Sequence, residues 1–72
     1  MKTKNFKRNQ NILSCNDLDG KKNFINLERV DYWKADGNDT EVHIFNCNFS
    51  FWLAMDGDDF EKEYLKWKEL NG

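Results

Sequence analysis

Two neighbouring hydrophobic patterns near the C-terminal end of the chain constrain the fold most. In residues 49–55 apolar and other side chains alternate, which is the pattern of a β-strand with one buried face. In residues 58–72 apolar side chains recur at helical spacing, with acidic residues first and basic residues after them, as the helix dipole favours. A strand followed at once by a helix predicts a domain of the α+β class. The alternating residues expected to face the core are Phe49, Phe51, Leu53 and Met55.

The predicted helix has a recognisable start and one apolar stripe. Asp58 is followed three residues later by Glu61, which resembles a capping box with the aspartate in the capping role. Asn71 and Gly72 are typical of a helix end. We expect the stripe to pack on the sheet face that carries residues 49–53. The stripe consists of Phe60, Tyr64 and Trp67 at positions i, i+4 and i+7, with Leu70 beside them.

Turn-forming residues divide the preceding part of the chain into two hairpins. Asx and glycine residues suit such turns because they bond the local backbone or permit positive φ. The first predicted hairpin pairs residues 12–15 with 22–27, and the second pairs residues 30–35 with 40–47 across the turn at residues 36–39. The predicted fold is a four-stranded, mostly antiparallel sheet of two hairpins, with one C-terminal helix packed on one face.

The alternation of apolar residues changes phase between the two hairpins. Ile25 and Leu27 share one phase of the alternation. Val30 and Tyr32 share the other phase, so one regular strand cannot place all four side chains on the same face. We therefore expect a bulge or one irregular turn at residues 28–29.

Charge divides the chain into a basic arm and an acidic body. Residues 1–16 carry four bases and no acid, whereas residues 17–72 carry seven bases and thirteen acids. The first ten residues also lack apolar periodicity, so residues 1–10 are expected to form a mobile basic arm. Residues 11–72 are then the single small domain that a chain of 72 residues allows. The four bases of the arm are Lys2, Lys4, Lys7 and Arg8.

Metal binding is not predicted for this sequence. Two cysteines and one histidine are too few for the four-ligand site that structural zinc requires. The acidic loop that begins at Asp17 places Lys21 and Lys22 where a calcium loop needs a ligand and a glycine. The aspartates of such loops are better interpreted as turn residues.

Catalysis is not predicted either. His43 and Cys47 are four residues apart on one predicted strand, which separates them by about 13 Å, beyond hydrogen-bond reach. A fold-back of Ser14 or Ser50 onto His43 stays open as an alternative. The four glycines are isolated from one another, so no phosphate-binding loop is expected. We therefore predict no catalytic residue, no cofactor and no small-molecule substrate.

The sequence also predicts a cytoplasmic protein. Its longest uncharged stretch, residues 42–55, is shorter than the roughly 20 apolar residues that cross a bilayer, so no membrane association is expected. No apolar segment follows the basic opening, which argues against a secretory signal. Cys15 and Cys47 are then expected as free thiols in a reducing compartment. Ten asparagines and nine lysines without a proline suggest a low-GC genome, bacterial or phage.

Three aromatic residues are left over once a core has been assigned. By alternation Trp33, Phe45 and Trp52 point away from the predicted core positions on their strands. Together they would form an aromatic patch on the open face of the sheet, and such patches mark interfaces. We therefore predict a protein partner or self-association as a homo-oligomer. The arm folding over these rings, or rings that are merely scattered, are the alternatives.

Two other functions follow from the charge distribution. The basic arm could neutralise phosphates of DNA or RNA, although the acidic body would repel the same polyanion. Alternatively, the acidic body could mimic nucleic acid and block a basic partner. Nucleic-acid binding is the less favoured prediction.

The order of signals in the first half resembles a known family. After Ile12 and Leu13, residues 18–32 (LDGKKNFINLERVDY) are similar to the FlbD family of small flagellar-operon proteins and to similar short bacterial or phage proteins. In that family an apolar strand, a turn and a second strand precede a hairpin and a C-terminal helix. The resemblance covers about residues 12–70, and the N-terminal arm and the tryptophans depart from it. It implies a fold rather than an activity, and it carries over no functional residue.

Overall fold

The computed structural model describes residues 6–71, which fold into two three-stranded antiparallel sheets and one helix. The first sheet has the order β1-β2-β3, and its strands are β1 (Phe6–Asn9), β2 (Ile12–Asn16) and β3 (Lys22–Asn26). The second sheet has the order β4-β5-β6, and its strands are β4 (Val30–Asp36), β5 (Asp39–Ile44) and β6 (Ser50–Leu53). The helix α1 (Gly57–Asn71) follows and packs against β4 and β5.

The α+β class and the C-terminal helix are confirmed, but the single four-stranded sheet is wrong. The cause is the 3-10 turn Leu27–Arg29, which falls where an irregular turn was predicted. The side chain of Asn26 caps this turn by accepting a hydrogen bond from the backbone N–H of Glu28. The chain therefore changes direction between β3 and β4, and the two strands enter different sheets.

Part of the predicted mobile arm is a strand. Strand β1 pairs with β2 across a tight turn in which Gln10 has a φ of 58°, and Phe6 lies opposite Cys15. Phe6 packs against the core, and Arg8 forms an ion pair of 3.1 Å with Glu63 of α1. The prediction of a loose arm is therefore wrong for residues 6–10, because a non-local ion pair and strand pairing hold them. Residues 1–5 of the predicted arm lie outside the described part of the chain.

The two sheets meet at one end of β2 and β6. Asp17 and Leu53 form an isolated antiparallel bridge, and the backbone N–H of Ala54 donates to the carbonyl oxygen of Asn16 at 2.8 Å. These contacts align the inner faces of the sheets, so that one core draws on both of them and on α1. Its buried apolar residues are Leu13, Cys15, Ile25, Leu27, Val30, Val42, Leu53, Met55, Phe60 and Trp67.

The helix begins two residues earlier than predicted, with a different cap. Asp56, not Asp58, takes the capping role, because its carboxylate accepts a hydrogen bond of 2.9 Å from the backbone N–H of Asp58. Of the predicted stripe, Phe60 and Trp67 are buried, whereas Leu70 is 76% exposed. The stripe is thus confirmed in its first three turns only.

The prediction that alternate side chains of residues 49–55 face the core is confirmed for the second half of the segment. Leu53 and Met55 are buried, and Phe51 is half-buried. Phe49 is 62% exposed, because β6 begins only at Ser50 and the preceding residues form an irregular turn.

Candidate functional site

The outer face of the second sheet, which is the side turned away from α1, carries two rows of polar and aromatic side chains. The register of the strands places them between buried neighbours such as Thr40 and Val42, which point to the core. Cross-strand partners share a face of the sheet, so each row forms one continuous line across three strands. The rows are Tyr32–His43–Ser50 and Lys34–Glu41–Trp52.

An aromatic stack forms the middle of this outer face. The rings of Tyr32 and His43 lie 4.1 Å apart and are almost parallel, at 11°. Tyr32 is 44% exposed and Trp52 is 37% exposed, so two large aromatic surfaces remain accessible. Tyrosine and tryptophan of this kind contribute strongly to binding at protein interfaces.

A β-bulge determines which aromatic residue of β4 reaches the outer face. The pairing of β4 with β5 shifts register between Val30 and Tyr32, which turns Tyr32 outwards and Trp33 inwards. Trp33 then packs against Phe60 and Tyr64 of α1, with ring centroids 5.0 and 4.9 Å apart. The prediction that Trp33 lies on the open face is therefore wrong.

The structure does not unite the three predicted interface residues in one patch. Trp52 lies on the outer face as predicted. Phe45 is 57% exposed but lies just past the end of β5, outside the two rows. Sequence reasoning missed Tyr32, because its facing depends on a bulge one residue long in β4, and with it missed the stack of Tyr32 on His43.

A small polar network orders the side chains beside the stack. The Ser50 hydroxyl donates a hydrogen bond of 2.7 Å to Oε2 of Glu41. His43 Nε2 lies 3.4 Å from the same oxygen, within ion-pair distance, but it has no properly aligned hydrogen bond within residues 6–71. The hydrogen bond from Ser50 holds the pKa of the Glu41 carboxyl below its usual range, and His43 adds to this effect. Glu41 is thus a fixed negative charge on the outer face.

The network does not have the arrangement of a nucleophilic triad. In such a triad the serine hydroxyl donates to an imidazole, and the imidazole is oriented by a carboxylate. Ser50 lies opposite His43 in the register, as the fold-back alternative allowed, but its hydroxyl donates to Glu41 instead. The Cys15 thiol is buried, which raises its pKa to about 11 and keeps it protonated.

The predicted nucleic-acid arm is only partly described. Lys2 and Lys4 lie outside residues 6–71. Lys7 is exposed on β1, and the Arg8 guanidinium is occupied by Glu63, with only 14% of its side chain exposed. Of the two described bases, one is therefore already neutralised by the protein.

Within residues 6–71 no three His, Cys, Asp or Glu side chains lie close enough together to hold an ion. The carboxylate of Asp17 instead accepts from the backbone N–H groups of Asp19 and Lys21, as expected of a turn residue. No helix in the described chain is long and apolar enough to cross a membrane.

Comparison with protein-family models, with curated proteins and with solved structures found no match for this chain.

Proposed function

We propose that this protein is a non-enzymatic interaction module that self-associates through the outer face of its second sheet. The observation that carries the proposal is the stacked pair Tyr32–His43 beside the exposed Trp52, which no other part of residues 6–71 covers. Burial of these rings against a partner would remove apolar surface from water. The polar side chains between them would fix the orientation of the partner.

The charges of the outer face favour a second copy of the chain as the partner. Lys34 and Glu41 lie opposite each other in one row, so this row carries one base and one acid, and the cross-strand pair Asp36–Asp39 adds two acids at the hairpin end of the same face. In a two-fold dimer every contact between residue i of one copy and residue j of the other occurs twice, so Lys34 of each copy can pair with Glu41 of the other. The row that contains Lys34 and Glu41 is therefore complementary to itself.

The size of the face suggests weak association. A stable protein interface buries about 800 Å² per partner, which is about one-seventh of the 5335 Å² surface of this chain. Two rows of three residues supply only the centre of such an interface. We therefore expect a dimer with a dissociation constant of about micromolar order.

Sedimentation equilibrium of the full chain tests the proposal. The Trp52→Ser variant should weaken the dimer by about tenfold or more, as loss of an interface aromatic does. Leu65→Ser is the matched control, because Leu65 is 51% exposed on α1, away from this face. A wild-type chain that stays monomeric, or a dimer that Trp52→Ser leaves intact, would contradict self-association.

Reversing the charges of Lys34 and Glu41 shows whether these residues form ion pairs between two copies or within one copy. Lys34→Glu alone and Glu41→Lys alone should each abolish the dimer, because like charges would face each other across the two-fold axis. Mixing the two variants should restore a heterodimer, in which both contacts between copies are again opposite in sign. Within each copy the pair stays mismatched, so restored dimerisation can come only from contacts between copies.

Nucleic-acid binding by the basic arm is the alternative function. The ion pair between Arg8 and Glu63 removes one of its four charges, which weakens this alternative. An affinity for DNA or RNA at low salt that is lost on deletion of residues 1–5 would favour it over self-association. An acidic inhibitor of a nucleic-acid-binding partner would instead bind a basic protein with strong salt dependence.

We also propose a cytoplasmic location in a bacterial or phage context, which the composition and the unpaired cysteines support. The similarity of residues 18–32 to the FlbD family supports a common fold and supplies no site residue.

A further inference from the structure

A second apolar surface lies between the two sheets, away from the outer face. It is a groove of about 220 Å³ between β3 and the ends of β5 and β6. Phe51 is in edge-to-face contact with the exposed Phe49, with ring centroids 5.4 Å apart, which extends the apolar surface beyond the groove. The residues that matter for its chemistry are Phe24, Ile25, Ile44, Phe51, Asn26 and Arg29.

One wall of the groove is an open sheet edge. Strand β3 is the last strand of its sheet and pairs only with β2. Within residues 6–71 no backbone hydrogen bond joins residues 22–26 to a chain segment on their other side. Phe24, in the middle of this edge, is 71% exposed. Exposed strand edges with apolar side chains are templates for pairing with a further strand.

We propose that the groove binds an extended, acidic segment of a partner protein, which adds as a strand to the free edge of β3. Backbone hydrogen bonds to β3 would provide affinity, and alternate side chains of the added strand would enter the groove. The five residues of β3 span about 17 Å, which fits a segment of about five to seven residues.

Arg29 is the residue that favours an acidic segment as the occupant of the groove. It lines the groove, is exposed, and forms no ion pair within residues 6–71. A carboxylate of the bound segment would therefore find an unused guanidinium at the end of the 3-10 turn.

A second copy of β3 does not meet this requirement from its own residues. The segment Lys22–Asn26 contains a base and no acid, so a second copy of this strand would bring no carboxylate of its own into the groove. The basic first residues of the chain, which include Lys2 and Lys4, have the same sign as Arg29. An acidic segment from another protein is the occupant that the charges favour.

Selection from a phage-displayed library of random nonapeptides against the full chain tests this proposal. Enriched peptides should alternate apolar and polar residues and contain a carboxylate. The amide signals of residues 22–26 should shift when such a peptide is added in solution. A library that shows no enrichment, or peptides that shift only signals of the outer face, would overturn the proposal.

Three variants test whether the selected peptide binds in the groove or on another surface. Phe24→Lys should weaken binding of the selected peptide by about tenfold or more, and Arg29→Glu should change the preference of the library from acidic to basic peptides. Leu65→Ser, an equally exposed position on α1, should bind as the wild type does. Unchanged binding by Phe24→Lys or an unchanged charge preference of Arg29→Glu would contradict the proposal.

Peptide binding to the groove can be tested independently of self-association through the outer face. Trp52→Ser removes an outer-face residue, so it should dimerise poorly and still bind the peptide. A selected peptide that is lost with Trp52→Ser but retained with Phe24→Lys would place the binding site on the outer face and overturn the groove. Dimerisation that is lost with Phe24→Lys would show a second copy in the groove instead.

Discussion

Gly57, the first residue of α1, lies so close to Ala35 of β4 that a β-carbon at position 57 would be 2.5 Å from the β-carbon of Ala35. Real β-carbons do not approach each other at this distance, so the helix starts where it does only because residue 57 has no side chain. The contact sets how closely α1 approaches the second sheet.

Gly57→Ala should therefore destabilise the protein by about 1–3 kcal/mol, although alanine is the better helix former. Urea unfolding followed by tryptophan fluorescence measures this change. Ala35→Gly in the same chain removes the opposing β-carbon, so the double variant should be more stable than the sum of the single changes predicts. Additive effects would mean that the helix start adjusts without strain.

Thr40 should stabilise the protein through its hydroxyl group. It is fully buried, and its Oγ1 donates a hydrogen bond of 2.8 Å to the carbonyl oxygen of Met55. Thr40→Val keeps the shape but leaves that carbonyl without this donor, which should cost about 1–3 kcal/mol in urea unfolding. Thr40→Ser retains the donor and should cost less. The reverse order of the two variants would show that the methyl group matters more than the hydrogen bond.

Removal of the Ser50 hydroxyl should raise the pKa of Glu41 towards its ordinary value of 4.5. A carboxyl whose pKa is lowered by folding stabilises the protein above its unfolded pKa and loses that contribution as the pH falls through the folded pKa. The stability difference between wild type and Ser50→Ala should therefore shrink on acidification. NMR titration of the Glu41 carboxyl carbon measures the shift, and Ser14→Ala, in the first sheet, should leave it unchanged.

The two thiols should differ in reactivity and in their effect at alkaline pH. Cys47 is exposed and should react rapidly with a thiol reagent near pH 8, whereas buried Cys15 should react only through unfolding. Burial raises the Cys15 pKa from 9.0 to about 11, so this thiol stabilises the protein fully below pH 9 and loses that contribution as the pH rises towards 11.

Urea unfolding of two variants isolates the Cys15 effect from other alkaline titrations. Both carry Cys47→Ser, and one also carries Cys15→Ala. The variant that retains Cys15 should lose more stability between pH 9 and pH 11 than the variant without it. Equal losses would show that Cys15 ionises as readily in the folded as in the unfolded chain.

Local patterns were enough to predict the elements that depend on neighbouring residues. The hairpin turn at residues 36–39 has Gly37 at a φ of 63°, as its Asp-Gly-Asn-Asp sequence indicates. The helix and its buried Phe60 follow from apolar spacing alone. In each of these cases the residues that decide the structure lie close to one another in the sequence.

The parts that sequence reasoning missed depend on single-residue shifts or on distant partners. The bulge before Tyr32 adds one residue to β4, and one residue is enough to exchange the faces of Tyr32 and Trp33. The partner of Arg8 is 55 residues away in the chain, so no local pattern indicates that β1 is held in place. The candidate site was therefore predicted only at Trp52.

The arrangement of the sheets has a consequence for folding speed. Each sheet consists of strands that follow one another directly in the chain, so most strand pairings close short loops. Loop closure of this kind costs little entropy, and proteins dominated by it fold quickly for their strand content. Two contacts join residues far apart in the sequence: Asp17 with Leu53, between the two sheets, and Arg8 with Glu63, between β1 and α1. They can form after the strands within each sheet have paired. The folding time is then set by the docking of the first sheet onto the second sheet and its helix.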